Sequence, residues 1–295
     1  MSTLTEPVAA VGWAVHLPGP PLGEFLAEGF EEPPGDWAYE EAAGPARAAT
    51  VLGRKGLLAK EPATRTALCA VHRALGLPAG ARPDQPLDPG TAVVVASNLG
   101  NVATVAAVSR TVATEGGAAV SVLDAPNVSS NVIASSIALW FRFGGPNLMV
   151  CSGDRAGADA LRLAGLLLRA GRADRVVVVG VEPDDEVAAA LHGAGRYGPP
   201  LRGGAACLVL RSAANRVPAG VCVEPAPAQW PVPPRLLIGP GGLDLRGHGD
   251  LGGARHVVSL ALAAHLAADD GHRAVGVSDD EMSLLVTATV ARRAR

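Results

Sequence analysis

The sequence predicts a globular α/β protein whose strands are buried on both faces. Short Val-rich runs alternate along the chain with longer helix-like segments, and each run is flanked by Gly, Pro or Asn. The runs are apolar throughout, which is typical of strands that helices cover on both sides. A chain of 295 residues, 48% of them hydrophobic, also has ample material for a large core. The strands are expected at residues 8–15, 92–96, 176–181, 207–210 and 284–290.

Four long helices are predicted between these strands. Segments 61–78 and 129–145 each run into glycine or proline, where helices commonly end. Segment 156–170 is apolar on nearly every face, so we expect a helix that is covered on both sides in the middle of the fold. Another helix is expected within residues 254–271.

The composition of the chain changes after Leu210, where residues 211–242 are rich in proline and contain only brief apolar runs. Such a pattern predicts short strands joined by irregular chain. We therefore expect two parts, a first half at residues 1–215 and a smaller second half at residues 216–295 that packs into the same fold.

Composition and motifs disfavour several classes of function. The net charge is −3 and basic residues are scattered, so no face suited to nucleic acid is predicted. No window reaches the roughly 18 uninterrupted apolar residues of a membrane span, and the first residues lack an export signal, so we expect a cytoplasmic protein. The four cysteines form no CxxC pair, and no phosphate-binding glycine pattern follows a strand. Neither a metal nor a cofactor is therefore expected.

The stretch "NLMVCSGDRAGADALRLAG", residues 147–165, runs from an apolar strand through Cys, Ser, Gly and Asp into a helix. Strand-to-helix elbows of this kind often carry a nucleophile. An α/β-hydrolase needs Gly two residues before the elbow serine, but Val150 precedes Ser152 at that spacing. The elbow therefore indicates a different family.

Residues 125–182 closely resemble the β-ketoacyl synthase family of the thiolase fold. The similarity includes a Pro-Asn before a helix, a Gly-Pro-Asn after it, a strand, the nucleophile elbow, a buried helix and a strand that closes on Gly and Glu. Residues 8–19, 63–76 and 201–216 extend the resemblance over about the first 215 residues. It implies a thiolase-like layered αβαβα architecture with a complete N-terminal half and an abbreviated C-terminal half.

The resemblance fails at the family's nucleophilic cysteine. Counted from Gly-Pro-Asn at 145–147, that position falls on Asp154, and Cys151 lies three residues earlier, inside the expected strand. A carboxylate is a weaker nucleophile toward thioesters than a thiolate. We favour Asp154 as a helix N-cap, Cys151 as a packed core thiol and Ser152 as a partner of local backbone groups. No catalytic residue is then expected in this degenerate site.

The second half departs further from the family, whose working members carry two catalytic histidines. No counterpart of the first is found within residues 210–247, whereas His248 comes into register with the second to within one residue. His248 is either a vestige of that site or an exposed loop histidine. His256 and His265 are expected on a helix surface. Acidic residues at 279–281 replace the family's Gly-Phe-Gly-Gly gate.

The resemblance implies a degenerate subunit, similar to a chain-length factor, that pairs with an active ketosynthase. Condensation requires a thiolate and two imidazoles, of which this chain has at most one. The implied partners are the ketosynthase subunit, in a heterodimer, and an acyl carrier protein with its acyl chain, in polyketide, polyene or fatty-acid-like biosynthesis. The expected dimer strand comprises Asn147, Leu148, Met149, Val150 and Cys151.

Two alternatives remain open at this stage. One is a thiolase-fold acyltransferase, hydrolase or dehydratase with a rebuilt site, in which Asp154, Cys151 or Ser152 acts with His248 on an acyl thioester. The other is a self-associating scaffold with no acyl ligand, which resemblance of fold alone does not exclude.

Overall fold

The computed structural model describes residues 4–19, 42–194, 198–213, 220–226, 236–240, 242–269 and 274–288; the side chains of His248 and Asp269 are outside this description. Its strands alternate with helices over most of this length. The strands are β1 (Val8–His16), β2 (Thr91–Ala96), β3 (Asn147–Val150), β4 (Arg175–Glu182), β5 (Gly204–Ser212), β6 (Val221–Pro225), β7 (Leu236–Ile238), β8 (Val275–Ser278) and β9 (Ser283–Ala288).

The helices begin and end where the local chemistry of the sequence indicates. Helix α2 has a proline in its first turn, where a missing N–H costs no hydrogen bond, and α4 ends at Arg142 in the left-handed conformation. The helices are α1 (Ala49–Leu52), α2 (Pro62–Ala74), α3 (Val102–Glu115), α4 (Val132–Phe141), α5 (Ala156–Arg169), α6 (Glu186–Gly193) and α7 (Arg255–Asp269).

The described strands form a sheet of nine in the order β3-β2-β4-β5-β1-β6-β9-β8-β7. In the first half, β3, β2 and β4 are parallel, and β5 is antiparallel to β4 and β1. The second half repeats the order β2-β4-β5-β1 as β7-β8-β9-β6, with the same parallel and antiparallel pairs. Strand β3 lies at one edge of the sheet, and no described strand of the second half corresponds to it.

Two apolar cores lie on opposite faces of the first half-sheet. Val176 and Val178 face the core that contains α5 and α7, while Val177 and Val179 face the core that contains α2 and α4. This alternation follows from the two-residue period of a strand and explains why the strands are apolar throughout. Helix α7 contacts strands of both halves as well as α5, so these two helices form a central layer.

The predicted elements are present, with differences of a few residues at their ends. The last two residues of the strand predicted at 284–290 and the boundary predicted between residues 215 and 216 lie outside the described residues. The prediction that residues 156–170 are covered on both sides was wrong, because Leu166 of α5 is 50% exposed. One face of this helix is thus uncovered in the single chain. No helix in the described part of the chain is long and apolar enough to span a membrane.

Candidate functional site

The elbow after β3 is held by the side chain of Asn98, from the loop that follows β2. Asn98 Nδ2 donates to the carbonyl of Gly153 at 3.0 Å, and the Gly153 N–H donates to Asn98 Oδ1 at 3.0 Å. Gly153 has a φ of 66°, a conformation that favours glycine, and opens the 3-10 turn Gly153–Arg155 that leads into α5. The turn is therefore fixed by a reciprocal pair of hydrogen bonds rather than by the strand alone.

Glu182, the last residue of β4, lies under this elbow and is 2% exposed. Its carboxylate accepts hydrogen bonds from the backbone N–H groups of Asn98, Leu99 and Gly253 at 2.8–3.0 Å. The Ser97 hydroxyl donates a fourth at 3.3 Å. Burial raises the pKa of Glu182 to about 6, although these hydrogen bonds act in the opposite direction. The buried carboxyl thus joins three segments that frame the site.

Asp154 lies exposed in the 3-10 turn, close to the start of α5. The predicted N-cap role is wrong in its register, because the N-cap position of α5 is occupied by Arg155, which makes no side-chain capping bond. The short 3-10 turn inserts this extra residue between Asp154 and the helix. Asp154 still lies near the positive end of the helix dipole, where a carboxylate is electrostatically favoured.

Cys151 does not pack in the core, as the sequence predicted, but is exposed immediately after β3. The strand ends at Val150, and the chain turns before the thiol can enter the core. Burial of part of the side chain and the nearby Glu182 carboxylate raise the pKa of Cys151. The group is therefore an accessible thiol that is not activated by its own surroundings.

Ser152 does not bond to local backbone groups, as the sequence predicted. Its hydroxyl donates instead to Asp159 Oδ2 at 2.8 Å, and Arg162 lies 3.3 Å from the other oxygen of the same carboxylate. All three residues are on the surface side of the elbow, so Ser152 serves to orient a surface carboxylate on α5.

The backbone of His248 closes the 3-10 turn Leu245–His248, in which the Arg246 N–H donates to the side chain of the N-cap residue Asp244. The predicted role of His248 depends on its side chain, which lies outside the described residues. The rebuilt-site alternative depends on the distance between the side chains of His248 and Asp154, so it stays a prediction.

His192 and Asp250 are brought together at this site although the sequence did not single them out. His192, in the last turn of α6, has Nε2 3.3 Å from Asp250 Oδ2. Asp250 lies two residues after His248 in the segment that resembles the family, and that position was the available signal. Nothing local to His192 distinguishes it, because α6 is short and its other residues are mostly alanine and leucine.

A cavity of about 300 Å³ opens beside the elbow. Its polar lining comes from the elbow and the strand ends, and its apolar lining comes from three leucines. It is lined by Asn98, Leu99, Cys151, Gly153, Asp154, Glu182, Leu191, His192, Leu201 and Gly252. Among the described residues, no group of three His, Cys, Asp or Glu side chains is arranged to hold a metal ion.

The acidic turn between β8 and β9 contacts the 3-10 turn that follows the elbow. Glu281 forms an ion pair with Arg155 at 3.0 Å, and Asp279 Oδ2 lies 2.9 Å from His256 Nε2. The prediction that His256 is a surface residue was wrong, because it is 0% exposed between α7 and this turn. His265, on the same helix, is half-buried. The turn is therefore tied to both central helices.

Solved structures of ketosynthases superpose on nearly the whole chain, which defines the fold as that of a thiolase-like ketosynthase. The ishigamide ketosynthase/chain length factor gives a TM-score of 0.67 at 20% identity, covering 96% of this chain and 98% of that one. A beta-ketoacyl synthase from Burkholderia phymatum STM815 gives 0.63 at 14% identity, covering 97% and 100%. A type II PKS acyl-carrier protein in complex with its ketosynthase bound to the hexaketide gives 0.61 at 14%, covering 97% and 100%.

The family model for the beta-ketoacyl synthase N-terminal domain matches residues 48–196, which is half of the chain. The chain therefore belongs to the β-ketoacyl synthase family, and the fold class predicted from the sequence is confirmed. No curated protein matches the sequence.

Proposed function

We propose that the chain is a ketosynthase-like subunit that does not itself perform the condensation and pairs with an active ketosynthase, as a chain-length factor does. It then acts with an acyl carrier protein and its acyl chain in polyketide, polyene or fatty-acid-like biosynthesis. The observation that carries this proposal is the exposed carboxylate of Asp154 in the elbow, at the position that the spacing from Gly-Pro-Asn at 145–147 predicts for the family's nucleophilic cysteine. A carboxylate there does not replace a thiolate in thioester exchange.

The edge position of β3 supports pairing through this strand. The N–H groups of Val93 and Ser97 donate to the carbonyls of Pro146 and Val150, so alternate residues from Pro146 to Val150 direct their backbone groups toward β2. The backbone groups of Asn147 and Met149 point the other way, where no described strand pairs with them. A second chain that adds a strand here would satisfy them.

The helices that contact β3 also support an interface at this edge. Both α4 and α5 contact β3, one on each face of the sheet. Leu139 of α4 is 79% exposed and Leu166 of α5 is 50% exposed. Large exposed apolar side chains on both sides of an unpaired strand are typical of a surface that another protein covers. The chain-length factor and carrier-protein complexes among the structural neighbours agree with a partner of this kind.

Co-expression tests the proposal directly. The tagged chain is produced with each ketosynthase encoded near it that carries an intact cysteine and two histidines, and the complex is isolated on the tag. We expect one of them to co-purify in an equal ratio and to condense acyl groups on a carrier protein only in the presence of this chain. A stable isolated monomer that captures none of these ketosynthases would contradict the proposal.

A further inference from the structure

Glu61 is a buried carboxyl group that the proposed function does not use. It occupies the N-cap position of α2 and is 6% exposed. Its side chain makes no capping bond to the helix, and neither of its oxygens has a hydrogen-bond partner of ordinary geometry among the described residues. A buried carboxylate without partners is costly, because nothing replaces the water that would solvate its charge. The site therefore favours the neutral acid.

Two more carboxylates act on Glu61 from other segments of the chain. Asp185 is the N-cap residue of α6, and its side chain caps that helix. Asp124 precedes the 3-10 turn Ala125–Val128, and its negative charge reaches Glu61 together with that of Asp185. The Thr104 hydroxyl, in the first turn of α3, is the neutral group that faces Glu61. Ionisation of Glu61 therefore adds a third negative charge, shielded from water, beside two others.

These surroundings set the direction in which the group titrates. Burial raises the pKa of Glu61 above its ordinary value of 4.5, and the two aspartate charges raise it further, while the Thr104 hydroxyl acts in the opposite direction. Lys60, the preceding residue, donates its Nζ to Ser136 instead, at 2.8 Å. The folded state thus keeps this proton at pH values where the unfolded chain has lost it. The stabilisation by the neutral acid is present below pH 4.5 and is lost as the pH rises through the raised pKa.

Segment 121–129, which contains Asp124, is held by few buried contacts. It contains one short 3-10 turn, and all of its residues except Asn127 are exposed. Val122, two residues before Asp124, is 85% exposed. Helix α2, in contrast, is buried along most of its length. Segments with little buried surface open locally at a low cost in free energy, so a charge on Glu61 is expected to loosen this segment rather than the helix.

Asn127 ties segment 121–129 to the chain beside the buried carboxyl group. Its Nδ2 donates to the carbonyl of Ala59, two residues before that group, and to a carbonyl of its own segment, both at 3.0 Å. The chain then continues to Asn131, the N-cap residue of α4, whose Nδ2 donates to Asn147 Oδ1 of β3 at 2.9 Å. The segment thus connects the buried carboxyl group with the edge strand of the sheet.

We propose that Glu61 is a proton-dependent switch, which holds segment 121–129 in place when it is neutral and releases the segment when it is ionised. The neutral acid puts no charge beside Asp124. When the proton passes to solvent, the new carboxylate repels Asp124 and lacks hydrogen bonds, so the segment opens and water reaches the charge. Rising pH therefore loosens the segment, and falling pH restores it. The switch is a property of the single chain and does not depend on the proposed pairing.

Hydrogen–deuterium exchange of the full-length chain, followed by mass spectrometry, tests the switch. The N–H groups of Asp124, Ala125 and Asn127 are hydrogen-bonded within segment 121–129, so their exchange reports its opening. Protection is compared at about pH 5.5 and about pH 8.5, after correction for the pH dependence of exchange in an unfolded chain. We expect the protection of this segment to fall by about 10-fold or more at the higher pH, while peptides from β4 keep theirs.

Two variants assign the response to this carboxyl group. Glu61→Gln keeps the shape of the side chain without the ionisable group, so the segment should stay protected at both pH values. Asp124→Asn removes one of the facing charges and should reduce the change seen in the wild type. Glu115→Gln, at an exposed glutamate that ends α3, is the matched control and should respond to pH as the wild type does.

Three results would overturn the proposal: equal protection of the wild-type segment at both pH values, an undiminished pH response in a folded Glu61→Gln variant, or a parallel loss of protection in β4. If Glu61→Gln does not fold, an undiminished response in Asp124→Asn, whose substitution is at an exposed position, has the same meaning. All of these measurements use the single chain. Failure of the switch and failure of the pairing proposal are therefore distinguishable.

Discussion

The Glu182 carboxylate connects segments that are far apart in the chain. It ends β4, accepts N–H groups from the loop after β2 and accepts the Gly253 N–H from the turn before α7. Its neighbour in that loop, Asn98, holds the elbow glycine. All of its hydrogen-bond partners are donors, and they are shared between its two oxygens. The site therefore suits a carboxylate, which accepts through both oxygens.

Glu182→Gln should lower the free energy of unfolding by about 2–3 kcal/mol, because the new amide NH₂ faces N–H donors and leaves them unsatisfied. Urea unfolding at pH 7 measures this loss. Glu6→Gln, at an exposed position, should change the free energy of unfolding by no more than about 0.5 kcal/mol. Equal effects of the two substitutions would show that the buried hydrogen bonds contribute little.

Asp279 shows how a single carboxylate stabilises the turn between β8 and β9. Burial alone raises its pKa, but the hydrogen bond and charge of His256, the Glu281 N–H and the charge of Arg255 together lower it to about 2. The unfolded chain binds a proton at this group near its ordinary value of 3.8, so the folded state binds fewer protons between these two values. The stabilisation is therefore present above about pH 4 and is lost as the pH falls toward 2.

Asp279→Asn should cost about 2 kcal/mol of stability at pH 6, and the difference from the wild type should shrink toward zero near pH 2. The asparagine carbonyl still accepts the N–H groups of Glu281 and Met282, so the change is confined to the oxygen that faces His256 and Arg255. Urea unfolding between pH 2 and 6 follows the effect, with Asp280→Asn as the exposed control. A difference that stays constant with pH would rule out this account.

At the scale of elements, β3 is an edge strand that pairs on one side only in the single chain. Its inward carbonyls pair with β2, its outward backbone groups meet no described strand, and the helices on its two faces expose leucines. The sequence predicted this strand and its place in a dimer by resemblance alone. The unpaired edge and its exposed flanks come from the order of the strands in the sheet, which no local pattern encodes.

Met149→Pro should prevent co-purification with the ketosynthase partner. It removes an N–H that points away from β2, so the pairing between β2 and β3 keeps its hydrogen bonds while an added strand loses one. Met149→Ala removes the side chain but keeps the N–H and should still co-purify. Pull-down measures both, with thermal unfolding as the check on folding; capture of the partner by a folded Met149→Pro variant would exclude pairing through this edge.

At the scale of the whole molecule, the two half-sheets are joined by the pairing of β1 with β6 and by the packing of the central helices α5 and α7. Gly157 permits their close approach, because a Cβ built on it would lie 2.8 Å from the Cβ of His256 and 3.0 Å from the Gly253 carbonyl. Both contacts involve atoms close to the backbone, so neither can move away without shifting α7. The close packing of α5 against the start of α7 thus depends on a position without a side chain.

Gly157→Ala should destabilise the protein by about 1–3 kcal/mol through overpacking between the halves, despite the better helix propensity of alanine. Gly44→Ala is the matched control, because no atom lies within 4 Å of its built Cβ and its φ of −59° suits alanine. Thermal unfolding followed by circular dichroism compares the two. A Gly157→Ala variant as stable as the wild type would show that the two helices can separate at no cost.

The sequence by itself determined the types of the elements, their order and the family. Apolar runs, helix ends and the elbow motif are local patterns, and local patterns set backbone conformation. The same motif also predicted Asp154 at the position of the family's nucleophile, because only a short segment separates Asp154 from the Gly-Pro-Asn at 145–147.

Only the tertiary structure decided which side chains meet and which are accessible. Cys151 became an exposed thiol because β3 ends one residue before it, and His256 became buried because the β8–β9 turn folds over α7. His192, which lines the cavity, and Asp250 lie on separate segments that only the packed fold brings within 3.3 Å of each other. Burial and pairing depend on contacts between distant parts of the chain, so neither follows from the residues beside each group.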